Sequence, residues 1–104
     1  MAIMADIREA IRTGMIVWWI KRTGNGLHVR QSVVDAAEGL EAEAKARPEE
    51  GMGSRWRVQT KIQESRTARD TERVAFWREV MVYLDYLDSF YKRPEKPDVK
   101  IIEG

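Results

Sequence analysis

The nine residues from Ser54 to Ile62, SRWRVQTKI, show the clearest alternation of side-chain types in the chain. Every second residue from Trp56 onward is Trp, Val, Thr or Ile, and the residues between them are Arg, Gln and Lys. Neighbouring side chains of a strand point to opposite faces, so period-2 alternation is typical of a strand with one buried face. A helix would place Trp56 and Ile62 on poorly matched faces. The pattern therefore predicts a strand at about 54–62.

Two further strands are predicted between residues 15 and 32, on either side of a glycine-rich turn. Residues 15–22, MIVWWIKR, are rich in β-branched and aromatic side chains, which favour strands. The next four residues, TGNG, contain Asn-Gly, the strongest short signal for a hairpin turn. We predict an antiparallel hairpin of 15–22 with 27–32. The alternative at 15–22 is a continuing buried helix, because so short a run cannot be assigned by its period.

Helical periodicity marks three other segments. Residues 2–13 place apolar side chains on one face, which predicts a short helix. A second helix is expected from Ser32, which can form a capping box with Asp35. The longest helix is predicted at about 67–91, where large apolar side chains recur three and four residues apart.

Helices packed on one face of a small antiparallel sheet make a two-layer α+β fold, and this is the predicted class. An all-α bundle is the alternative, and it follows if 2–22 forms one helix and 54–91 runs nearly unbroken. At 104 residues the chain suits one domain, because two halves would each be too small for a stable core. We predict a compact domain over 1–93 and a C-terminal tail or short edge strand over 94–104.

The composition excludes several kinds of protein. Hydrophobic residues make up 43% and charged residues 34% of the chain, which supports a folded core over disorder. No cysteine is present, so disulfides, thiol catalysis and cysteine-bound metals are excluded. The longest apolar run, residues 15–20, is far shorter than the ~20 residues that span a membrane. We expect a cytoplasmic protein without a membrane partner, and no specific motif predicts a catalytic, cofactor-binding or metal-binding residue.

The net charge is only +1, but acidic residues concentrate over 35–50 and basic residues over 51–73. One of the adjacent Trp residues at 18 and 19 would point to the outer face of the predicted sheet, since neighbours alternate. Cations beside an aromatic ring are what phosphate neutralisation and base stacking require. We therefore predict a nucleic-acid surface on that face, and the alternative is an ordinary solvated face. Its cations are Arg30, Arg55, Arg57 and Lys61.

The longest predicted helix carries more apolar surface than a single core-facing stripe needs. Tyr83, Tyr86 and Phe90 belong to this excess. Large aromatic side chains make good interface anchors. We predict that these three residues form an interface with a protein partner or with a second copy of the chain.

Two pairs of acids lie at i, i+3 spacing on predicted helices, Glu38 with Glu41 and Asp85 with Asp88. Acids placed in this way on two helices can hold Mg²⁺ between them. The layout resembles the E-x-x-E and E-x-x-D motifs of the all-α nucleoside triphosphate pyrophosphatases of the MazG type, with Asp85 standing where that family has Glu. The resemblance covers only these two short pieces, and it implies Mg²⁺-dependent pyrophosphatase activity.

Two functions from different classes follow. The first is a small non-enzymatic binding or regulatory module that needs no cofactor and acts through a protein or nucleic-acid surface. The alternative is a Mg²⁺-dependent pyrophosphatase-like enzyme. The first depends on surface residues and the second on the four carboxylates.

Overall fold

A computed structural model describes residues 2–102, with side chains from Ile7 onward, and most of this chain is helical. The described part contains four α-helices, a short 3₁₀ turn at Pro48–Glu50 and two short strands. The helices and strands are α1 (Ala2–Thr23), β1 (Leu27–Arg30), α2 (Gln31–Ala46), α3 (Ser54–Thr67), α4 (Thr71–Asp88) and β2 (Val99–Ile102). The strands pair in parallel, with Leu27 opposite Val99. The predicted antiparallel α+β fold is therefore wrong, and the all-α alternative fits.

Helix α4 is the central element, since α1, α2 and α3 all pack against it. One buried apolar cluster joins the four helices and β1, and it gathers side chains at i, i+3 and i+4 spacing from α2, α3 and α4. Its buried members are Val17, Leu27, Val29, Val33, Val34, Ala37, Leu40, Val58, Ile62, Val80, Met81, Leu84 and Tyr86. Packing of this kind, more than local propensity, holds helices of ordinary length in place.

The predicted hairpin at 15–32 is wrong because residues 15–22 continue α1. Thr13 does not end the helix, and its hydroxyl donates to the Glu9 carbonyl oxygen one turn earlier, at 2.8 Å. The glycine-rich stretch acts as the end of α1. Gly24 takes a positive φ of 73°, and its N–H donates to the Ile20 carbonyl oxygen at 3.3 Å. A glycine in this conformation is a common helix terminus, so the same residues that favour a hairpin turn also close a helix.

The predicted strand at 54–62 is wrong because this stretch is the first part of α3. Val58 and Ile62 are four residues apart, and both are buried on the side that faces the core. Residues four apart lie on the same face of a strand and also on the same face of a helix, so this short alternation fits both structures. Trp56 does not fit that face, and the helix leaves it 56% exposed.

The predicted helix at about 67–91 corresponds to α4, which begins at Thr71 after a break that separates it from α3. Arg69 takes a positive φ of 56°, and the Asp70 N–H donates to the Ser65 carbonyl oxygen at 2.9 Å, which closes α3. Asp70 then caps α4, because its side chain accepts a hydrogen bond from the Arg73 N–H at 3.1 Å. Helix α4 ends at Asp88, so Phe90 lies just beyond it.

The C-terminal strand is attached to the domain through the residue that precedes it. The Asp98 carbonyl oxygen accepts from the Leu27 N–H at 2.8 Å and from the Tyr86 hydroxyl at 3.2 Å. The first bond continues the β1–β2 ladder, and the second ties the strand to α4. Ile101 and Ile102 of β2 remain exposed.

Candidate protein-interaction surface

Helix α1 turns a row of large apolar side chains away from the core. Their spacing of four, four and three residues, with one further neighbour, places them on one side of the helix. Each is between 50% and 68% exposed. We call this row the outer face of α1, and it consists of Ile7, Ile11, Met15, Trp18 and Trp19.

A buried carboxylate fixes the rotation of α1 that exposes these side chains. Glu9 lies on the opposite side of the helix, where it is only 4% exposed. It accepts hydrogen bonds from Arg66 of α3 and from Arg78 of α4, with the Arg78 Nη2 atom 2.7 Å from Glu9 Oε1. Val17 and Ile20 pack into the core on the same side. A surface helix normally buries its apolar side, so α1 is unusual in exposing much of its own.

Four cations on α1 surround this row, namely Arg8, Arg12, Lys21 and Arg22, and all four are exposed. Arg22 lies over the ring of Trp18 at 5.2 Å, and Lys21 lies over the ring of Phe90 at 4.7 Å. Among the side chains that the structure describes, none of the four forms an ion pair with a carboxylate. The outer face of α1 is therefore both apolar and positively charged.

The exposed surface of α1 continues into a cavity between α1, α4 and β1. The cavity has a volume of ≈ 450 Å³, and Arg12, Ile16 and Ile20 form its α1 side. A shallower depression along α1 shares Arg12 and Ile16 with it. A partner on the outer face of α1 would therefore find a place for an additional side chain beside Ile16.

The four residues predicted to bind nucleic acid do not share one surface. Arg30 pairs with Glu79 of α4, and Arg55 pairs with Asp85 and Asp88 on the same helix. Arg57 is buried and donates to Glu43 at 3.0 Å and to Glu50 at 3.1 Å. Lys61 is half-buried on α3. The prediction stays untested, and three of the four cations have carboxylate partners within the chain.

The three residues predicted to form an interface lie at different depths. Tyr86 is buried, its hydroxyl bonds to the Asp98 carbonyl oxygen, and its ring meets Phe90 edge-on at 5.1 Å between centroids. Phe90 and Tyr83 are half-buried. Burial raises the pKa of the Tyr83 phenol, and the nearby carboxylates of Glu38 and Glu41 raise it further. The interface remains a prediction, with Tyr83 and Phe90 offering its accessible surface.

The four carboxylates of the predicted Mg²⁺ site are partly brought together. Glu41 of α2 and Asp88 of α4 line one depression of ≈ 230 Å³. The guanidinium of Arg55 lines it too, and it pairs with both Asp85 and Asp88. Within the described side chains, no group of three or more carboxylate or imidazole groups is placed to hold a metal ion. Arg55 thus supplies the positive charge that a metal ion would supply in the pyrophosphatase hypothesis.

The pairing of Asp85 gives a prediction about pH. Burial raises the pKa of its carboxyl above 3.8, Arg55 opposes this, and Asp88 adds to it. The folded chain therefore binds the Asp85 proton more tightly than the unfolded chain does. The stability that this proton contributes is fully present below pH 3.8 and is lost as the pH rises through the folded-state pKa.

We expect Asp85→Asn to gain stability relative to the wild type as the pH rises through that interval, measured by urea unfolding at a series of pH values. Arg55→Gln is the matched control, because removing the cation that lowers the pKa of Asp85 moves the interval to higher pH. Parallel pH profiles for the wild type and Asp85→Asn would contradict the raised pKa.

Sequence reasoning missed the outer face of α1, although the signal was present. Ile7, Ile11, Met15 and Trp18 follow helical spacing, but the strand assigned to 15–22 divided them between two elements. The described part of the chain is a helical domain that leaves the outer face of α1 exposed. No helix in the described range combines the length and apolar character needed to cross a membrane. No protein-family model, curated protein or solved structure matches the chain.

Proposed function

We propose that this protein is a small non-enzymatic binding module that docks a protein partner on the outer face of α1. The observation that carries the proposal is the exposure of five large apolar side chains on one side of one helix. Contiguous exposed apolar patches mark interaction sites in soluble proteins. Trp, Met and Arg, which are enriched at protein interfaces, make up much of this surface.

The ion pairs of the residues predicted to bind nucleic acid weaken the case for nucleic acid at those residues. Binding to nucleic acid draws on cations that are free to neutralise phosphates. Arg30, Arg55 and Arg57 are already paired with carboxylates, so each would have to exchange a partner. The cations of α1, which form no ion pair among the described side chains, border an apolar surface, which fits a partner that is itself partly apolar.

The pyrophosphatase alternative has less support from the same contacts. Its second acid pair, Asp85 and Asp88, is bound by Arg55. Mg²⁺ is usually held by carboxylates together with substrate phosphates and waters. A metal ion would therefore have to displace Arg55 before these two acids could bind it.

The proposal is tested by placing a photo-crosslinking amino acid at Met15, in the middle of the outer face of α1, in cells that produce the protein. We expect a small number of defined protein adducts. Adding Ile11→Glu should abolish them without unfolding the domain, because Ile11 is exposed and lies beside Met15. Circular dichroism of the purified variant checks that the domain is folded.

Arg73, which is exposed on a different helix, α4, is the matched control position for the crosslinker. It should give none of the adducts seen from Met15. Equal adducts from the two positions, or none from Met15 at physiological expression, would refute a docking role for α1.

A further inference from the structure

The free cations and large side chains of α1 have a counterpart on the same chain, along the exposed side of α2. Three acids, one lysine and three small residues lie there, all exposed. Gly39, Ala42 and Ala46 are spaced by three and four residues, so they share one side of the helix. We call this the outer face of α2, and it consists of Asp35, Glu38, Gly39, Glu41, Ala42, Lys45 and Ala46.

The two faces are complementary in charge. The outer face of α1 is bordered by Arg8, Arg12, Lys21 and Arg22, and none of these has an ion-pair partner among the described side chains. On α2, Glu38 and Glu41 likewise form no ion pair with any described side chain. The other acid of the middle of α2, Glu43, is already bound by Arg57. With three acids against Lys45, the outer face of α2 is net negative and matches the cations of α1.

The faces are also complementary in shape. Large side chains project from α1, with Met15 and Trp18 exposed at its centre. The centre of the α2 face carries only Gly39 and Ala42, and nothing lies within 4 Å of the position that a Cβ on Gly39 would occupy. Small residues let two helices approach to the usual packing distance while the larger side chains of the partner helix fill the groove.

The alternative in which two α1 faces meet in a symmetric dimer is disfavoured by charge. An isologous contact places the same surface on both sides, so the cations of one copy would lie against the cations of the other. A contact of α1 with α2 avoids this repulsion. It leaves an α2 face free on one copy and an α1 face free on the other, so it can repeat head to tail.

We infer that the partner of the outer face of α1 is the outer face of α2 on a second copy of this chain. This inference rests on the proposed function and adds the identity of the partner. Each copy contributes one helix to each contact, and the assembly grows by addition of further copies at both ends. The contact is partly electrostatic between exposed groups, so it weakens as salt screens the charges.

Two charge-reversed variants test the inference in purified protein, by light scattering over a concentration series. Arg8→Glu with Arg12→Glu blocks the α1 face, and Glu38→Lys with Glu41→Lys blocks the α2 face. We expect the mass of the wild type to rise with concentration and to fall on addition of salt. Each variant alone should remain a monomer. Their mixture should assemble again, because the two intact faces meet each other and the two reversed faces are complementary in charge as well.

Ala42→Trp supplies a second block of the α2 face that leaves all charges in place, so this variant should be a monomer alone. Its mixture with the α1 variant should form a one-to-one dimer and no larger species, because one α1 face and one α2 face remain intact and the two blocked faces are not complementary. Ala42→Trp thus separates loss of contact from a general change of surface charge. Circular dichroism confirms that each variant is folded, which is expected because every substituted side chain is exposed.

Other outcomes would overturn the inference. A wild type that stays monomeric at all concentrations would exclude self-assembly. If the crosslinker at Met15 then still gives adducts with a different protein, the proposed function survives. Assembly of any variant alone, or failure of either mixture to associate when the wild type assembles, would also exclude the contact of α1 with α2.

Discussion

Replacing Glu9 by alanine is expected to lower the free energy of unfolding by about 3 kcal/mol, the lower end of the cost of breaking a buried ion pair. Glu9 is 4% exposed, and Arg78 donates to both of its oxygens, with its Nε atom at 3.2 Å from Oε1 and 3.1 Å from Oε2. Arg66 of α3 binds the same carboxylate. Without the Glu9 carboxylate, the guanidinium groups of Arg66 and Arg78 would lose their shared counter-charge. Each is about one-third exposed, so water partly compensates and keeps the cost at the lower end.

Urea unfolding followed by circular dichroism measures this loss. Glu9→Gln keeps the volume and some of the hydrogen bonds but removes the charge, so its stability should lie between those of the wild type and Glu9→Ala. Glu79→Ala is the matched control, because it breaks the ion pair with Arg30, in which both side chains are exposed. An exposed pair contributes about 0–1 kcal/mol. Equal losses for Glu9→Ala and Glu79→Ala would show that burial of the carboxylate is not important.

The burial of Glu9 shows one limit of what could be predicted from the sequence. Apolar periodicity indicates helices wherever the buried residues lie on one stripe, and the predictions of a helix from Ser32 and of one at about 67–91 are confirmed as α2 and α4. Helix α1 breaks this rule because it buries Glu9 and exposes Trp18. Its partners Arg66 and Arg78 lie more than fifty positions further along the chain, so no local pattern indicates the ion pairs.

The stretch 54–62 shows a different limit. Its alternation is real, but over nine residues a period of two and an i, i+4 pair select the same buried side chains, Val58 and Ile62. The position that separates the two structures is Trp56, which a half-buried strand would bury and the helix exposes. Trp side chains are highly buried on average, so the expected burial of Trp56 favours the strand.

Recognition of the outer face of α1 depends on whether 15–22 is assigned to a strand or to a helix. With 15–22 as a strand, Trp18 and Trp19 fall on opposite faces, and the apolar row on α1 does not exist. With 2–23 as one helix, the row and its cations follow from the sequence alone. The acids of α2 could be read from the sequence, but their relation to α1 required knowing which charges are already paired within the fold.

The second large effect is expected at Gly26, where substitution by alanine should cost about 3 kcal/mol of stability. Gly26 has a positive φ of 76°, a conformation that is unfavourable for residues with a Cβ. A Cβ there would lie 2.6 Å from Asp98 Oδ2 and 2.8 Å from the Asp98 carbonyl oxygen. The carboxylate can rotate away. The carbonyl oxygen cannot, because the Leu27 N–H and the Tyr86 hydroxyl both donate to it.

Gly24→Ala is the matched control, because Gly24 has nearly the same φ, 73°, and nothing lies within 4 Å of its Cβ position. It should cost only the conformational penalty, about 1 kcal/mol. The difference between the two variants therefore measures the contact of Gly26 with Asp98. Hydrogen exchange gives a local readout, since displacement of Asp98 should reduce protection of the Leu27 amide in Gly26→Ala and leave it unchanged in Gly24→Ala. Equal losses of stability and of Leu27 protection in the two variants would show that the close approach of Gly26 to Asp98 does not contribute to the cost.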